Sequence, residues 1–479
     1  MVFPPLQFAE NEIVRPDGTL ALPYLDACLT QAGFESTILD MSIGTSKDKL
    51  EDTFHKQEVL SSNLIRVGMS QQRILEEVKP FDVIAITSIF TQQTSRVFEI
   101  SNLIKGAYPE KILVTGGVNA RSLREHFFDN GFDFICITEG ERSIVALAQF
   151  LDSGTPSLSD VPGMTYRLNG KIKINPVGPL LENLDQIPMP SWEKLPNDKY
   201  WEIGRIWGGR EGWMDPEEIA RYAAIFTSRG CPFSCTYCHI SKEKGGEAGD
   251  IGRLRLHSID RVEEELIRLR SLDVNYIYIN DDSFLAKKKR AALILERLKK
   301  YDFKLADVNG INIIHFFKQH KGSLIVDEDM IHLLYEAGFR KVSLPFESGN
   351  QRLINKYAGS KWRVDKCDTI QLIKKLGDVG IVADGNFMIG YPDETPDELT
   401  NTFLLARNQM DAGLIGCQFF MVQPFPGTLI FDESLKLGQL SPNWHWDDLG
   451  WSKGSSFMNL NVNEDTLKYC WSLVWKLLN

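Results

Sequence analysis

No stretch of about 18 uninterrupted apolar residues occurs in the chain, so the sequence predicts no membrane-spanning helix. Basic charge is also short: 53 Lys and Arg stand against 64 Asp and Glu, a formal net charge of -11. Such a surface offers nucleic acid and anionic lipid no attractive field, and neither is expected as a partner. The opening residues, MVFPPLQFAENE, lack the basic region and apolar stretch of a secretory leader. A cytoplasmic location is therefore the expectation. There, clustered cysteines read as metal-binding or catalytic rather than as disulfides. Internal repeats and low-complexity tracts are missing too, and cysteine is scarce, at eight in 479 residues.

What is present alternates between strand and helix patterns. In residues 1–155 an amphipathic stretch, Leu20–Ala32, is followed by STILD and then by the near-continuous apolar run FDVIAITSIF. KILVTGG and FDFICITEGE follow, separated by helical patterns. Repeated βα units with short connections predict a doubly wound, Rossmann-like parallel sheet. Ligands of such sheets bind at the strand carboxyl ends, here Thr87-Ser88, Thr115-Gly116-Gly117 and Thr138 to Glu141. Residues 156–220 lose this regularity and read as a linker, with prolines in IPMPSW and a run of tryptophans.

From 221 to 430 the alternation resumes. YAAIFTS, NYIYIN, VNGINII, KVSLPF, VADGNFMIG and CQFFMVQ are the candidate strands, with helical stretches between them. Six strands joined by helices predict a partial (β/α)6 barrel with its chemistry at the strand carboxyl ends. Residues 431–479 read as a tail that ends in an amphipathic helix, Thr466–Leu478, and covers one barrel opening.

Directly after the first barrel strand, RGCPFSCTYCHI places Cys231, Cys235 and Cys238 in a C-x3-C-x2-C spacing. A disulfide uses two cysteines and structural zinc usually takes four ligands. Three thiolates suit an iron–sulfur cubane whose fourth iron stays open to a small molecule. Zinc completed by the adjacent His239 is the competing reading, and the unusual spacing speaks against it.

On this stretch the chain resembles the radical S-adenosylmethionine (SAM) enzymes, in the branch with an N-terminal cobalamin (B12)-binding-type domain. The resemblance implies a [4Fe–4S] cluster, SAM bound at its open iron, and an electron donor such as flavodoxin or ferredoxin. Reduction would cleave SAM to a 5′-deoxyadenosyl radical. Matching positions carry further roles over. Asp281 or Asp282 in NDDSF would meet the SAM amino group, and Glu347 with Ser348 in PFESG the ribose and carboxylate. Met388, Ile389 and Gly390 in NFMIGYPDET would lie against adenine, and Arg255 in RLRLHS resembles a basic residue that follows the cluster loop. QPFPGT is similar to the branch's P-x-P-G-T signature. The D-x-H-x-x-G segment that gives cobalt its histidine in other cobalamin proteins is missing, and His55 and His126 fit no such motif, so cobalamin is left open as a third cofactor.

Two radical reactions compete: methyl transfer through cobalamin, and epimerisation of peptide residues. The second needs a thiol, other than a cluster ligand, to return hydrogen. Cys28 and Cys136 fall in the first domain, Cys470 in the terminal helix, and Cys417 at the amino end of a barrel strand. Cys367 stands before a helix on the catalytic face, and is the candidate donor. That arrangement resembles the peptide epimerases of proteusin biosynthesis. The expectation is therefore an epimerase that converts L- to D-residues in a ribosomally made precursor peptide, with the cobalamin-dependent methyltransferase as alternative. A non-catalytic iron–sulfur sensor stands third.

Overall fold

The computed structural model describes residues 1–9, 12, 14, 16, 20–60, 64–204, 214, 215, 217–440, 443–450, 461, 462, 465 and 466. Cys470, Trp207, Trp213 and most of the expected terminal helix lie outside these residues. The chain divides into two compact units, Met1–Arg210 with Glu243–Ile251, and Glu211–Lys242 with Gly252–Asn479.

The first unit is built on seven strands: β1 (Val2–Phe3), β2 (Leu39–Asp40), β3 (Val83–Thr87), β4 (Ile112–Gly116), β5 (Phe134–Cys136), β6 (Met164–Leu168) and β7 (Lys171–Ile174), in the order β7-β6-β5-β4-β3-β1-β2. The five strands β1 to β5 pair in parallel, in the order 2-1-3-4-5. Right-handed crossovers on that order send helices to both faces, with the topological switch between β1 and β3. Helices α1 (Ala21–Gln31) and α4 (Gly140–Ser153) meet on one of them, where Gly140 lets Leu25 approach closely; α2 (Thr94–Ala107) and α3 (Val118–Ser122) follow β3 and β4.

Strands β6 and β7 extend this sheet inside the stretch expected to be a linker, β6 antiparallel to β5 and β7 antiparallel to β6. The local signal was there: Asn169 and Gly170 both have positive φ, 51° and 75°, as a two-residue hairpin turn requires. The prolines that suggest an extended crossing come later, in 188–190.

The second unit carries six parallel strands in sequential order: β8 (Tyr222–Ile225), β9 (Tyr276–Ile279), β10 (Lys304–Asp307), β11 (Phe339–Glu347), β12 (Val382–Ile389) and β13 (Cys417–Met421). Helices α5 (Ile259–Ser271), α6 (Lys288–Leu298), α7 (Glu328–Ala337), α8 (Gln351–Tyr357), α9 (Thr369–Val379) and α10 (Pro396–Ala412) connect them. Right-handed crossovers between successive neighbours place the connecting helices on one side, as in a barrel. Five of the expected strands are present. The third is KLAD rather than VNGINII, whose Ile311 and Ile313 are buried in a loop and a short 3-10 turn instead. Gly310 turns the chain there with φ 87°, which a strand cannot accommodate.

Candidate active site

Beyond β8 the chain forms a two-residue ribbon, Ser228–Arg229, paired antiparallel with Arg255–Leu256. Gly230 then turns with φ 80°, and a Cβ there would stand 2.4 Å from the Arg253 carbonyl oxygen. Only glycine fits that approach. The Cys231 amide donates to Gly252 O at 3.2 Å, and the Thr236 amide to Tyr357 O at 2.8 Å. Cys235 forms a β-bridge with Ala358, and Gly359 brings its Cα so close that a Cβ would lie 2.7 Å from Ser234 N. The cysteine loop is therefore clasped on both sides by backbone.

Cys235 is buried, and Cys231 and Cys238 are half-buried. Burial, reinforced by the neighbouring Cys235 thiol, pushes Cys238 up to about 12. Burial also raises Cys235, against the pull of the Lys361 ammonium. As free thiols they resist ionisation, and a metal's charge would offset that cost. Among the described residues no three His, Cys, Asp or Glu side chains converge on a single-ion position. Three thiols on one clasped loop are one ligand short of a structural zinc set, and fit a multi-iron cluster in which each would hold a different iron.

Beside the loop, β11 ends at Glu347 with φ 64° and a register shift between Pro345 and Glu347. A left-handed glutamate after a bulge is strained backbone of the kind that aims a side chain at a site. Lys361 Nζ meets its carboxylate at 2.5 Å and lies 6.0 Å from the Tyr237 ring centre. Tyr237 Oη is close to Glu347, Cys235 and Tyr391 without a hydrogen bond of good geometry to any of them, and burial pushes its phenol well up. Ser348 is engaged in its own turn, where its hydroxyl accepts from the Asn350 amide at 3.1 Å and shares a bond with Thr402 Oγ1.

The two aspartates after β9 divide their labour. Asp281 is buried, and accepts from the Thr227 amide, Thr227 Oγ1 and Ser228 Oγ, each at 2.6 Å. It clasps the end of β8 and has little capacity left for a ligand. Asp282 is half-buried and accepts from the Gly230 amide at 2.9 Å, next to Cys231. Arg255 is buried in the ribbon opposite Arg229. At the end of β12, Ile389 is buried and Met388 partly so, packing with Tyr391, Leu353 and Val422. The Gly390 amide donates to Glu394 Oε2 at 2.6 Å, and burial pushes Glu394 up to about 8.

Cys367 is buried two residues before α9, with its amide donating to Arg363 O at 2.9 Å. The Asp368 side chain, not Cys367, caps the helix. In the first unit the strand carboxyl ends present small and hydroxyl residues. Ser88 there accepts from Asn119 Nδ2 at 2.9 Å, and Thr138 Oγ1 donates to Ala248 O. His55 lies in the turn before Gln57–Val59 and His126 in the helix Arg124–Asp129, so neither stands at a strand carboxyl end. Small and hydroxyl residues at these strand ends would let cobalamin approach the backbone, and neither His55 nor His126 stands there to meet its cobalt.

Comparison with known proteins identifies the class. Residues 225–406 match the Radical SAM superfamily and residues 18–148 the B12 binding domain. The chain thus carries a B12 binding domain followed by a radical SAM domain. A [4Fe–4S] cluster and SAM are the cofactors of that superfamily, and the first domain is of the type that takes cobalamin. Among individual proteins, the chain is 26% identical to the cytidylyl-2-hydroxyethylphosphonate methyltransferase of Streptomyces wedmorensis, covering 90% of this chain and 80% of that one. It is 27% identical to the uncharacterized methyltransferase PH0819 of Pyrococcus horikoshii, over 93% and 84%. In fold it is similar to the radical SAM methyltransferase TsrM of Kitasatospora setae, with a TM-score of 0.67 at 16% identity, covering 91% of this chain and 75% of that one.

These relatives overturn the epimerase expectation. The two curated relatives above, which match over 90% and 93% of the chain, are named methyltransferases, and the likeness to proteusin epimerases is not supported. With it go the precursor peptide as substrate and Cys367 as hydrogen donor. Sequence reading also missed Lys361, Tyr237 and Glu394. Tyr237 and Glu394 lie inside the quoted motifs, but nothing in the sequence ties Lys361 to Glu347, 14 positions away.

Proposed function

We propose that the chain is a cobalamin-dependent radical SAM methyltransferase acting on a small-molecule acceptor, fed by a low-potential flavodoxin or ferredoxin. The observation that carries the reading is the match over at least 80% of the length of two relatives that are named methyltransferases, joined to a clasped three-thiol loop. When bound, the cluster supplies an electron to SAM and cobalamin supplies a carrier for the methyl group. The chain's own residues do the rest. Cys231, Cys235 and Cys238 would each hold one iron of the cluster. Asp282 and the strained Glu347 stand at strand ends beside them, where hydrogen bonds to the charged groups of SAM are each worth about 1.5–3 kcal/mol. Lys361 fixes the Glu347 carboxylate, and Tyr237 with Tyr391 closes the wall of the loop against water.

The test is cobalamin uptake and methyl accounting. Protein reconstituted anaerobically with iron, sulfide and hydroxocobalamin should retain about one cobalt per chain after desalting. With SAM and reductant it should then release S-adenosylhomocysteine in a cobalamin-dependent way. Protein that retains no cobalt and makes only 5′-deoxyadenosine would refute the reading.

A further inference from the structure

The barrel sheet has a second polar centre that the cluster does not use. On β11, Val342, Leu344 and Phe346 are fully buried. Phe346 stacks on Phe387 of β12 at 5.0 Å, Phe387 on Phe419 of β13 at 5.1 Å, and Phe419 meets Phe403 of α10 at 5.2 Å. This row marks the helix-facing side. Strand alternation then turns Lys341, Ser343 and Asp384 to the inner face. Asp307, at the end of β10, joins them: its Oδ1 accepts from the Ser343 amide at 2.9 Å. Ser343 is in register with Asp384, and Lys341 Nζ pairs with Asp384 Oδ2 at 2.9 Å.

That leaves one carboxylate oxygen on each aspartate, Asp307 Oδ2 and Asp384 Oδ1, buried with no hydrogen-bond partner. The two residues are only 7% and 6% exposed. One ammonium faces two carboxylates, and burial beside Asp384 pushes Asp307 up to about 7. A buried carboxylate oxygen without a donor is costly, and a fold that only needed packing would place apolar residues here. The deficit is specific: the Ser343 and Gly310 amides serve Asp307 and Lys341 serves Asp384, yet one oxygen on each carboxylate has no donor and positive charge is short. A phosphonate or carboxylate would add to the negative field. A neutral hydroxyl would satisfy one oxygen and leave the charge in excess.

We propose that Asp307 and Asp384 form the substrate-recognition site of the barrel and take a protonated nitrogen of the substrate. The inference rests on the methyltransferase reading only in naming that substrate a methyl acceptor. It places the acceptor among amines or amidines, held between the free oxygens of Asp307 on β10 and Asp384 on β12, on either side of β11.

The full chain, loaded with cluster and SAM, can be titrated calorimetrically with n-butylammonium, with butan-1-ol and butyrate as neutral and anionic controls of similar size. Butylammonium should bind, and both controls should bind at least tenfold more weakly. Asp307→Asn and Asp384→Asn should each weaken butylammonium by tenfold or more. Asp307→Asn keeps an acceptor for the Ser343 amide, so its melting temperature should match or exceed that of the wild type. Butyrate binding as well as butylammonium, or ammonium binding untouched by both substitutions, would overturn the proposal. So would a manganese ion that binds in place of the amine and is lost with Asp307. No methyl transfer enters this measurement. A failure here leaves the methyltransferase reading standing, and failure of cobalamin uptake leaves the amine site standing.

Discussion

Replacing Lys361 with Met tests whether the ion pair at the end of β11 holds the cluster side of the barrel in shape. Lys361 Nζ lies 2.5 Å from Glu347 Oε1, and the two side chains are 13% and 7% exposed. Met keeps most of the lysine stem, so packing changes little and the loss is chiefly one of charge. Removing one partner of a buried pair leaves the other uncompensated and costs roughly 3–5 kcal/mol. Glu347 carries a second burden, because its φ of 64° is left-handed. A non-glycine residue there stores about 1–2 kcal/mol of strain, which the contact with Lys361 helps to offset. For a domain of this size the loss corresponds to a drop on the order of 10 °C in the melting of the barrel.

The assay is thermal unfolding of cluster-free protein, followed calorimetrically so that the two units can be told apart. The control is the double variant Lys361→Met with Glu347→Gln. With both charges gone, it should recover at least about 2 kcal/mol of the sum of the single losses, the coupling expected of a contacting pair. A Lys361→Met protein within about 0.5 kcal/mol of wild type would refute the reasoning, the range typical of unremarkable surface changes. Strict additivity in the double variant would do the same.

Three other outcomes are expected. Changing Cys231, Cys235 and Cys238 together to Ala should abolish iron absorbance and reductive SAM cleavage while far-UV circular dichroism stays close to wild type; cleavage by the triple variant would remove the radical SAM chemistry from this loop. Cys367→Ala should retain SAM cleavage and methylation at wild-type rates, because Cys367 seats the approach to α9 and returns no hydrogen; a collapse of turnover with intact SAM binding would contradict this. Glu394, raised by burial from 4.5 to about 8, holds a proton in the folded state that the unfolded state releases between those values. Stability should therefore fall as pH rises from about 4.5 to 8, by at most ~1.4 kcal/mol per unit, and Glu394→Gln should flatten that slope; parallel curves would show that Glu394 does not titrate so.

The fold was largely legible because period and punctuation agreed. FDVIAITSIF and KILVTGG are apolar runs too short for buried helices, and each ends in residues that suit a βα turn. Where reading went astray, local composition imitated something else. VNGINII is as apolar as a strand, yet Gly310 bends it into a loop whose isoleucines are buried by tertiary packing. Residues 164–174 carry a local hairpin signal at Asn169-Gly170, but the pairing of their first strand to β5 is a long-range fact. The cluster loop was legible for the opposite reason: its three thiols lie within eight positions, so chemistry and sequence proximity coincide.

The reaction was less legible, and Cys367 shows why. A lone cysteine before a helix reads identically whether its sulfur faces a substrate or fills a gap, since burial suits both roles. The choice between epimerase and methyltransferase therefore hung on one atom whose surroundings sequence does not encode, and two relatives spanning at least 90% of the chain spoke against the epimerase. The inner-face aspartates carry the same lesson with the opposite sign. Asp307 and Asp384 are 77 positions apart and belong to no motif, so neither draws notice alone. Strand register brings them to one face of the sheet, with Ser343 between them donating to Asp307 and paired with Asp384. Only then do two unmet carboxylate oxygens become visible as one deficit of positive charge. Substrate choice in such a barrel is thus written in pairings across strands, where single-residue variation can change the acceptor while the cluster loop and the fold stay as they are.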